Sequence, residues 1–436
     1  MAHYVLAATP MPGHADPVIE VAAGLVRRGH RVKVVTGRLF HQRVLGVGAE
    51  FVPLPHAADI DYRDIDARFP ERAMIPPGAA QMLWGVRHLF ADAIPAQLQG
   101  LRDAMADGSV DAILADMMFL GTLPLLQGPR AARPPVVHLG ISTLALSGPD
   151  VAFFGAGLPP PRTPVQRIRN SAINQFMQGS VFASLQSYLD GVLSQCGVAR
   201  LPSFLTDAVV RLPDAYLQIG VSALEYPRSN LPGHLKFIGV PRGSAAPGSA
   251  PEWWHEVALA RAAGRRVCLV TQGTIASADL GQLLLPTFEA LATSNTLVIA
   301  TTSGADPAPL AAAAPPNVRL ASFIPYAMAL PLVDLFITNG GFGGVLRALT
   351  HGVPLIVAGD SEEKPEIAAR VSHAGVGIDL ATGRPSPALL ASAAADIFME
   401  PGYRQRAREI AALIASIDSI ALVDAELANL SHAAAA

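Results

Sequence analysis

Cysteine is scarce: Cys196 and Cys268 are the two in 436 residues. They lie too far apart for a metal-ligand spacing and are too few for a disulfide framework, so a reduced, cytoplasmic setting is expected. Charge is sparse as well, at 15% of residues with a net charge of −3. That balance offers no basic footprint for nucleic acid. With 51% hydrophobic residues, it describes a well-buried globular chain and not a disordered one. No apolar run of about 18 residues escapes interruption by Pro, Gly or charge, so no membrane span is expected. The N-terminus lacks a basic segment followed by an apolar run, so no secretory signal is expected either. The length exceeds one ordinary core, and two or three domains follow.

The most informative stretch is 335–379. Residues 332–337 form an apolar run suited to a buried parallel strand. The run stops at Thr338-Asn339 and enters Gly340-Gly341-Phe342-Gly343-Gly344. Val345, Leu346 and Leu349 then share one helical face, which Gly352 and Pro354 close. A strand thus feeds a glycine turn that feeds a helix N-terminus. Amides there have no helical partner and carry partial positive charge. Glycines let a phosphate approach the backbone, so the turn is a candidate diphosphate cradle. The alternative is a plain tight turn between strand and helix. A second strand, 354–358, leads into Asp360-Ser361-Glu362-Glu363-Lys364-Pro365 on the same sheet edge. Carboxylates beside a phosphate site suit the hydroxyls of a sugar.

The first half opens with a strand at 4–8, a loop at 9–14, a helix at 17–28 with Pro17 in its first turn, and a strand at 31–36. This is a βαβ unit, so parallel pairing is expected. Its first turn holds one glycine, Gly13, where a dinucleotide fingerprint needs three. It does hold His14 at the carboxyl end of a strand, the edge where open α/β sheets bind ligands. A histidine there is either a capping or solvent-facing residue, or a base able to take a proton from a hydroxyl. Residues 111–116 form another strand, ending at Asp116 on the same edge, with a helix N-cap as its alternative role. Further strands are expected at 50–54, 136–140 and 215–219, the last closing the first half. Helices are expected at 78–106 and 170–196, and a long loop at 142–164. In the second half, 266–271, 296–302 and 318–323 are strands. The first of these ends in Gln272-Gly273-Thr274.

Here a resemblance emerges. The glycine stretch resembles the donor-binding signature of the family 1 GT-B-fold glycosyltransferases, which include UDP-sugar and macrolide transferases. Where that pattern has His, this chain has Asn339. Where it has Glu-Ala-Leu, Gly-Val-Pro and Asp-Gln, this chain has Arg347-Ala348-Leu349, Gly352-Val353-Pro354 and Glu363-Lys364. Gly13-His14-x-x-Pro17 followed by Arg28-Gly29-His30-x-Val32 is similar to the family's N-terminal pattern. The likeness runs from Val5 to about residue 410.

The resemblance implies two Rossmann-like α/β domains facing across a cleft. Residues 1–241 would bind the acceptor, 242–251 would link, 252–410 would bind a nucleotide sugar, and 411–436 would return to the first domain. It implies an inverting, metal-independent hexosyl transfer from UDP-glucose, or another UDP- or dTDP-sugar, to an apolar small molecule. The sugar nucleotide is a co-substrate, and no permanently bound cofactor or metal is expected. His14 would be the base and Asp116 its orienting partner. Gly273, Thr274, Ile324, Pro325, Tyr326, Asn339, Gly341, Phe342, Gly343, Gly344, Glu363 and Lys364 would meet the donor. Two readings of Lys364 stand: contact with the sugar, or pairing with Glu362 or Glu366. Tyr326 either stacks on a base or packs on the next helix. Pro12, Trp84, Phe90, Phe119, Phe153 and Phe154 are the acceptor-side candidates. The nearest Asp-x-Asp, Asp64-Ile65-Asp66, lies on the acceptor side and not beside the donor signature. A monomer or homodimer is expected. Rival readings are a sugar-nucleotide epimerase of the same fold and a non-catalytic partner protein that keeps it.

Overall fold

The computed structural model describes all residues except 76–77, 242–249, 274–278, 293–294 and 436. Two parallel sheets carry the described chain. The first has seven strands: β1 (His3–Ala7), β2 (Arg31–Thr36), β3 (Glu50–Pro53), β4 (Ala112–Asp116), β5 (Val136–Gly140), β6 (Ala215–Gln218) and β7 (Leu235–Phe237). The second has six: β8 (Arg266–Thr271), β9 (Thr296–Thr301), β10 (Val318–Ala321), β11 (Leu335–Thr338), β12 (Leu355–Val357) and β13 (Gly377–Asp379). Central strands such as β1, β4 and β8 are nearly all apolar because helices cover both faces. The chain-order expectation for the first half misses β7, which is three residues long and half-buried, too short to show a pattern.

The spatial order in the first sheet is β3-β2-β1-β4-β5-β6-β7, and in the second β10-β9-β8-β11-β12-β13. Each order reverses direction once, between β1 and β4 and between β8 and β11. The connections leaving those strand pairs diverge to opposite faces and open a crevice at the carboxyl edge. His14 follows β1 and Asp116 ends β4. Gly273 follows β8 and the glycine turn follows β11. The two motifs found in the sequence therefore sit at the two switch points.

Register sets the first of these sites. Ala7 lies opposite Ala115, so Asp116 extends one residue past the end of β1, beside the chain that turns into the first helix. That helix spans Pro12–Arg27 and so starts earlier than the sequence suggests. Pro12, not Pro17, occupies its first turn, where a missing N–H costs nothing. His14 thus sits on a helix, not in a loop. The expected helix at 78–106 is present in three pieces: Ala79–Gly85, a wider π-type turn at Val86–Ala91, and Ile94–Met105.

The two halves pack directly on one another. Arg347, on the helix Phe342–Thr350, grips Glu20, on the helix that carries His14. Its other nitrogen donates to the carbonyl of Pro241 at 3.0 Å. The helix Ser419–Ala435 returns to the first sheet: Val423 and Leu427 are fully buried, and Asp424 accepts from Arg28 at 2.7 Å and His30 at 3.0 Å. Most of the expected linker lies outside the described residues.

Candidate active site

His14 and Asp116 meet. His14 Nδ1 lies 2.9 Å from Asp116 Oδ1. The carboxylate is fully buried and also accepts from the backbone amides of Thr9 at 2.6 Å and Met118 at 2.8 Å. Burial alone would raise the Asp116 carboxyl. The charge and hydrogen bond of His14, with those two amides, outweigh it and hold the group below the ordinary aspartate value. An ionised carboxylate only accepts, so Nδ1 carries the proton and Nε2 of the neutral ring is left as the basic atom. The imidazole is 18% exposed, enough to meet a ligand. Phe90 from the π-type turn lies against it, ring centroids 5.6 Å apart.

The glycine turn lies at the switch point of the second sheet, between β11 and the helix Phe342–Thr350. Gly341 is the N-cap of the helix Phe342–Thr350, and neither Gly341 nor Gly343 has any neighbour within 4 Å of where a Cβ would stand. That leaves open space over the first helical amides. Two glycines are dictated by geometry. Gly340 has φ +95°, and a Cβ there would come within 2.7 Å of Val357. Gly273 has φ +79°, and its Cβ would press on the Asn339 amide at 3.0 Å. Asn339 is buried beside it, and among the described residues its Oδ1 has no hydrogen-bond partner. A buried acceptor left unpaired there fits a ligand hydroxyl that donates to it.

Burial raises the Glu363 carboxyl above the ordinary glutamate value; the adjacent Lys364 opposes that and Glu362 adds to it. Lys364 is buried, with its ammonium held by Glu362 and Ser361, the second of its two expected positions. Tyr326 takes its packing role: it lies edge-on to Phe336 at 5.7 Å, its hydroxyl reaches towards Gly344, and burial pushes its pKa up to about 12.

Several expected contacts are corrected. Phe119 is fully buried under the first sheet's edge and lines no cleft. Phe153 is buried against Phe182 and Phe204, with ring centroids 5.0 and 5.9 Å away. The Phe342 ring approaches Gly220 of the first half, which leaves its backbone amide as the group available to a donor. Ile324 is in the core. Phe119, Ile324 and Phe342 follow strand ends and Phe153 lies in the irregular 142–163 segment, and sequence does not say which way such side chains turn. Pro12, Trp84 and Phe154 remain half-buried at the surface, with Trp84 edge-on to Phe69 at 5.2 Å. Pro325 is half-buried, and Thr274 lies outside the described residues. Phe323 falls outside the expected contact set. Phe323 is 66% exposed just past the carboxyl end of β10, on the same edge as the glycine turn. An aromatic ahead of Ile324-Pro325 was the available signal.

Residues 287–430 match the family described as erythromycin biosynthesis protein CIII-like, C-terminal domain. Over 432 residues the chain is 37% identical to 4'-demethylrebeccamycin synthase of Lentzea aerocolonigenes, covering 97% of this chain and 99% of that protein. The chain belongs to the family 1 GT-B glycosyltransferases. The transferase is also 30% identical to UDP-glucosyltransferase A1 of Starmerella bombicola, over 97% of this chain and 90% of that one. Among solved structures, the glycosyltransferase of kitacinnamycin superposes with a TM-score of 0.72 at 22% identity, covering 97% of each chain. That superposition agrees with the two-sheet architecture. Among the described residues of the transferase, no helix is long and apolar enough to cross a membrane.

Proposed function

We propose that the transferase moves a hexosyl group from a nucleoside diphosphate sugar, UDP-glucose first, to a hydroxyl of an apolar small molecule, with inversion. What supports this reading is the His14–Asp116 pair at one switch point, together with the open glycine turn at the other. His14 Nε2 takes the proton of the acceptor hydroxyl while that oxygen attacks the anomeric carbon. Asp116 stabilises the imidazolium that results. The bond from the anomeric carbon to the diphosphate oxygen breaks, and the leaving nucleotide gathers negative charge. The amides of the helix Phe342–Thr350, with the Asn339 side chain, meet that charge. Glu363 takes up sugar hydroxyls, and Phe323 stacks on the base. The products are a glycoside, a nucleoside diphosphate and the proton held by His14. Attack from the side opposite the departing diphosphate inverts the anomeric centre.

The rings of Phe90 and Trp84 on the acceptor wall suit a flat aromatic or polycyclic acceptor. The protein would be incubated with UDP- and dTDP-sugars and a panel of phenolic, flavonoid and macrolide acceptors, with products read by mass spectrometry. A hexosylated acceptor with a UDP-sugar is the expected result. Nucleotide binding without transfer to any acceptor, or isomerisation of the sugar nucleotide alone, would contradict it.

A further inference from the structure

The segment 142–163, between β5 and the helix Pro164–Phe176, has little regular structure and is held from two sides. From its own half, Arg228 donates to the carbonyls of Leu146 at 2.5 Å and Leu144 at 2.7 Å, and Glu225 accepts from the Leu144 amide at 3.3 Å. From the other half comes Glu366, on the helix Lys364–His373. Its Oε1 accepts from the amides of Gly155 at 3.1 Å and Gly157 at 2.8 Å. Arg370 joins the two anchors: its Nη1 donates to Glu366 at 2.8 Å and its Nη2 lies 2.8 Å from Glu225. The Tyr226 ring covers that guanidinium at 4.4 Å. Two carboxylates and two guanidiniums thus balance in charge, and all four side chains are buried.

Position gives this cluster its meaning. Glu366 lies three residues beyond Glu363, to which the proposed function gives the sugar hydroxyls. Pro365 abuts Gly157, whose φ is +60° and whose Cβ would fall 2.8 Å from the proline ring. The held segment includes Phe153 and Phe154 and touches Met82 of the helix Ala79–Gly85 through Gly155. One helix therefore presents its first residues to the donor crevice and its next to the acceptor-side loop.

We propose that Glu366 is a positioning residue that seats the 142–163 loop on the donor helix, so that the acceptor wall forms only in register with the donor site. This rests on the transferase reading above. The contact is made by a carboxylate on two backbone amides, so removing it frees the loop without touching the base or the glycine turn.

The test is steady-state kinetics with the acceptor varied at saturating donor, alongside calorimetry with UDP. Glu366→Ala is expected to raise the acceptor KM by about tenfold, the scale of one charge-assisted hydrogen bond, with UDP affinity unchanged. Uncoupled hydrolysis of the sugar nucleotide should rise, because a loosened loop admits water. Gly157→Ala leaves all four charges in place and should give the same KM effect from the loop side. The double variant should be no worse than either single one, since both break one contact. An unmoved acceptor KM in Gly157→Ala, additive effects, or UDP affinity falling in step would overturn the proposal while leaving the transferase reading standing. A wild-type protein that transfers no sugar would overturn both.

Discussion

Asp116 stays ionised although it is fully buried, because His14 and two backbone amides supply what water would have. Its folded pKa lies below the ordinary value of 3.8, so its contribution to stability is present above that value and disappears as pH falls through the folded value. Asp116→Asn should therefore be less stable than wild type at pH 7, and the gap should narrow below about pH 4. Thermal melts from pH 7 down to pH 3 would show it; a gap that is constant with pH would contradict the carboxylate's role. The same variant should lose turnover by about 10²-fold or more, since the amide no longer fixes the base. His14 and Asp116 were legible because both fall at strand ends, and strand ends are marked by where apolar runs stop. The fate of Phe119 and Phe342 was not legible. Whether an apolar ring turns inward or outward depends on what packs beside it, which only the folded chain supplies.

At the level of elements, the glycine turn separates two demands that sequence alone merges. Gly340 is needed by the backbone, whereas Gly343 has free space around it. Gly340→Ala should destabilise the protein by about 1–3 kcal/mol, through both its φ and the contact with Val357. Gly343→Ala should fold as well as wild type or about 0.5–1 kcal/mol better, because alanine favours a helix. It should nonetheless weaken UDP binding, since the methyl group occupies the approach to the helix amides. Urea unfolding and calorimetry on the two variants separate these effects. Equal UDP affinity in Gly343→Ala and wild type would remove the turn from the donor site. The starts of elements were the least legible part: Pro17 suggested a late helix start because a proline in a helix is ordinarily at its front, yet Pro12 holds that place.

For the whole molecule, what counts is the joining of the halves. The ion pair of Arg347 with Glu20 spans 327 residues of sequence, and no local pattern announces it. The return of the chain's last segment was expected from the family resemblance alone, and the helix Ser419–Ala435 buries Leu427 completely. Leu427→Ala should cost about 2–5 kcal/mol in urea unfolding, the range for emptying a core leucine. A cost near zero would show that the chain's end is an appendage. The two-domain α/β architecture was legible because each half repeats apolar strands and glycine-ended helices. The switch point in each sheet depends on strand order, which chain order does not disclose.

The account as a whole depends on a proton passing from the acceptor to His14. The most direct measurement is the turnover of His14→Ala with a nucleotide sugar and an acceptor that wild type accepts, paired with calorimetric UDP binding. The predicted result is a loss of about 10²–10⁴-fold in kcat with UDP affinity unaltered. Turnover at the wild-type rate would contradict the account, and so would loss of UDP binding in step with loss of turnover.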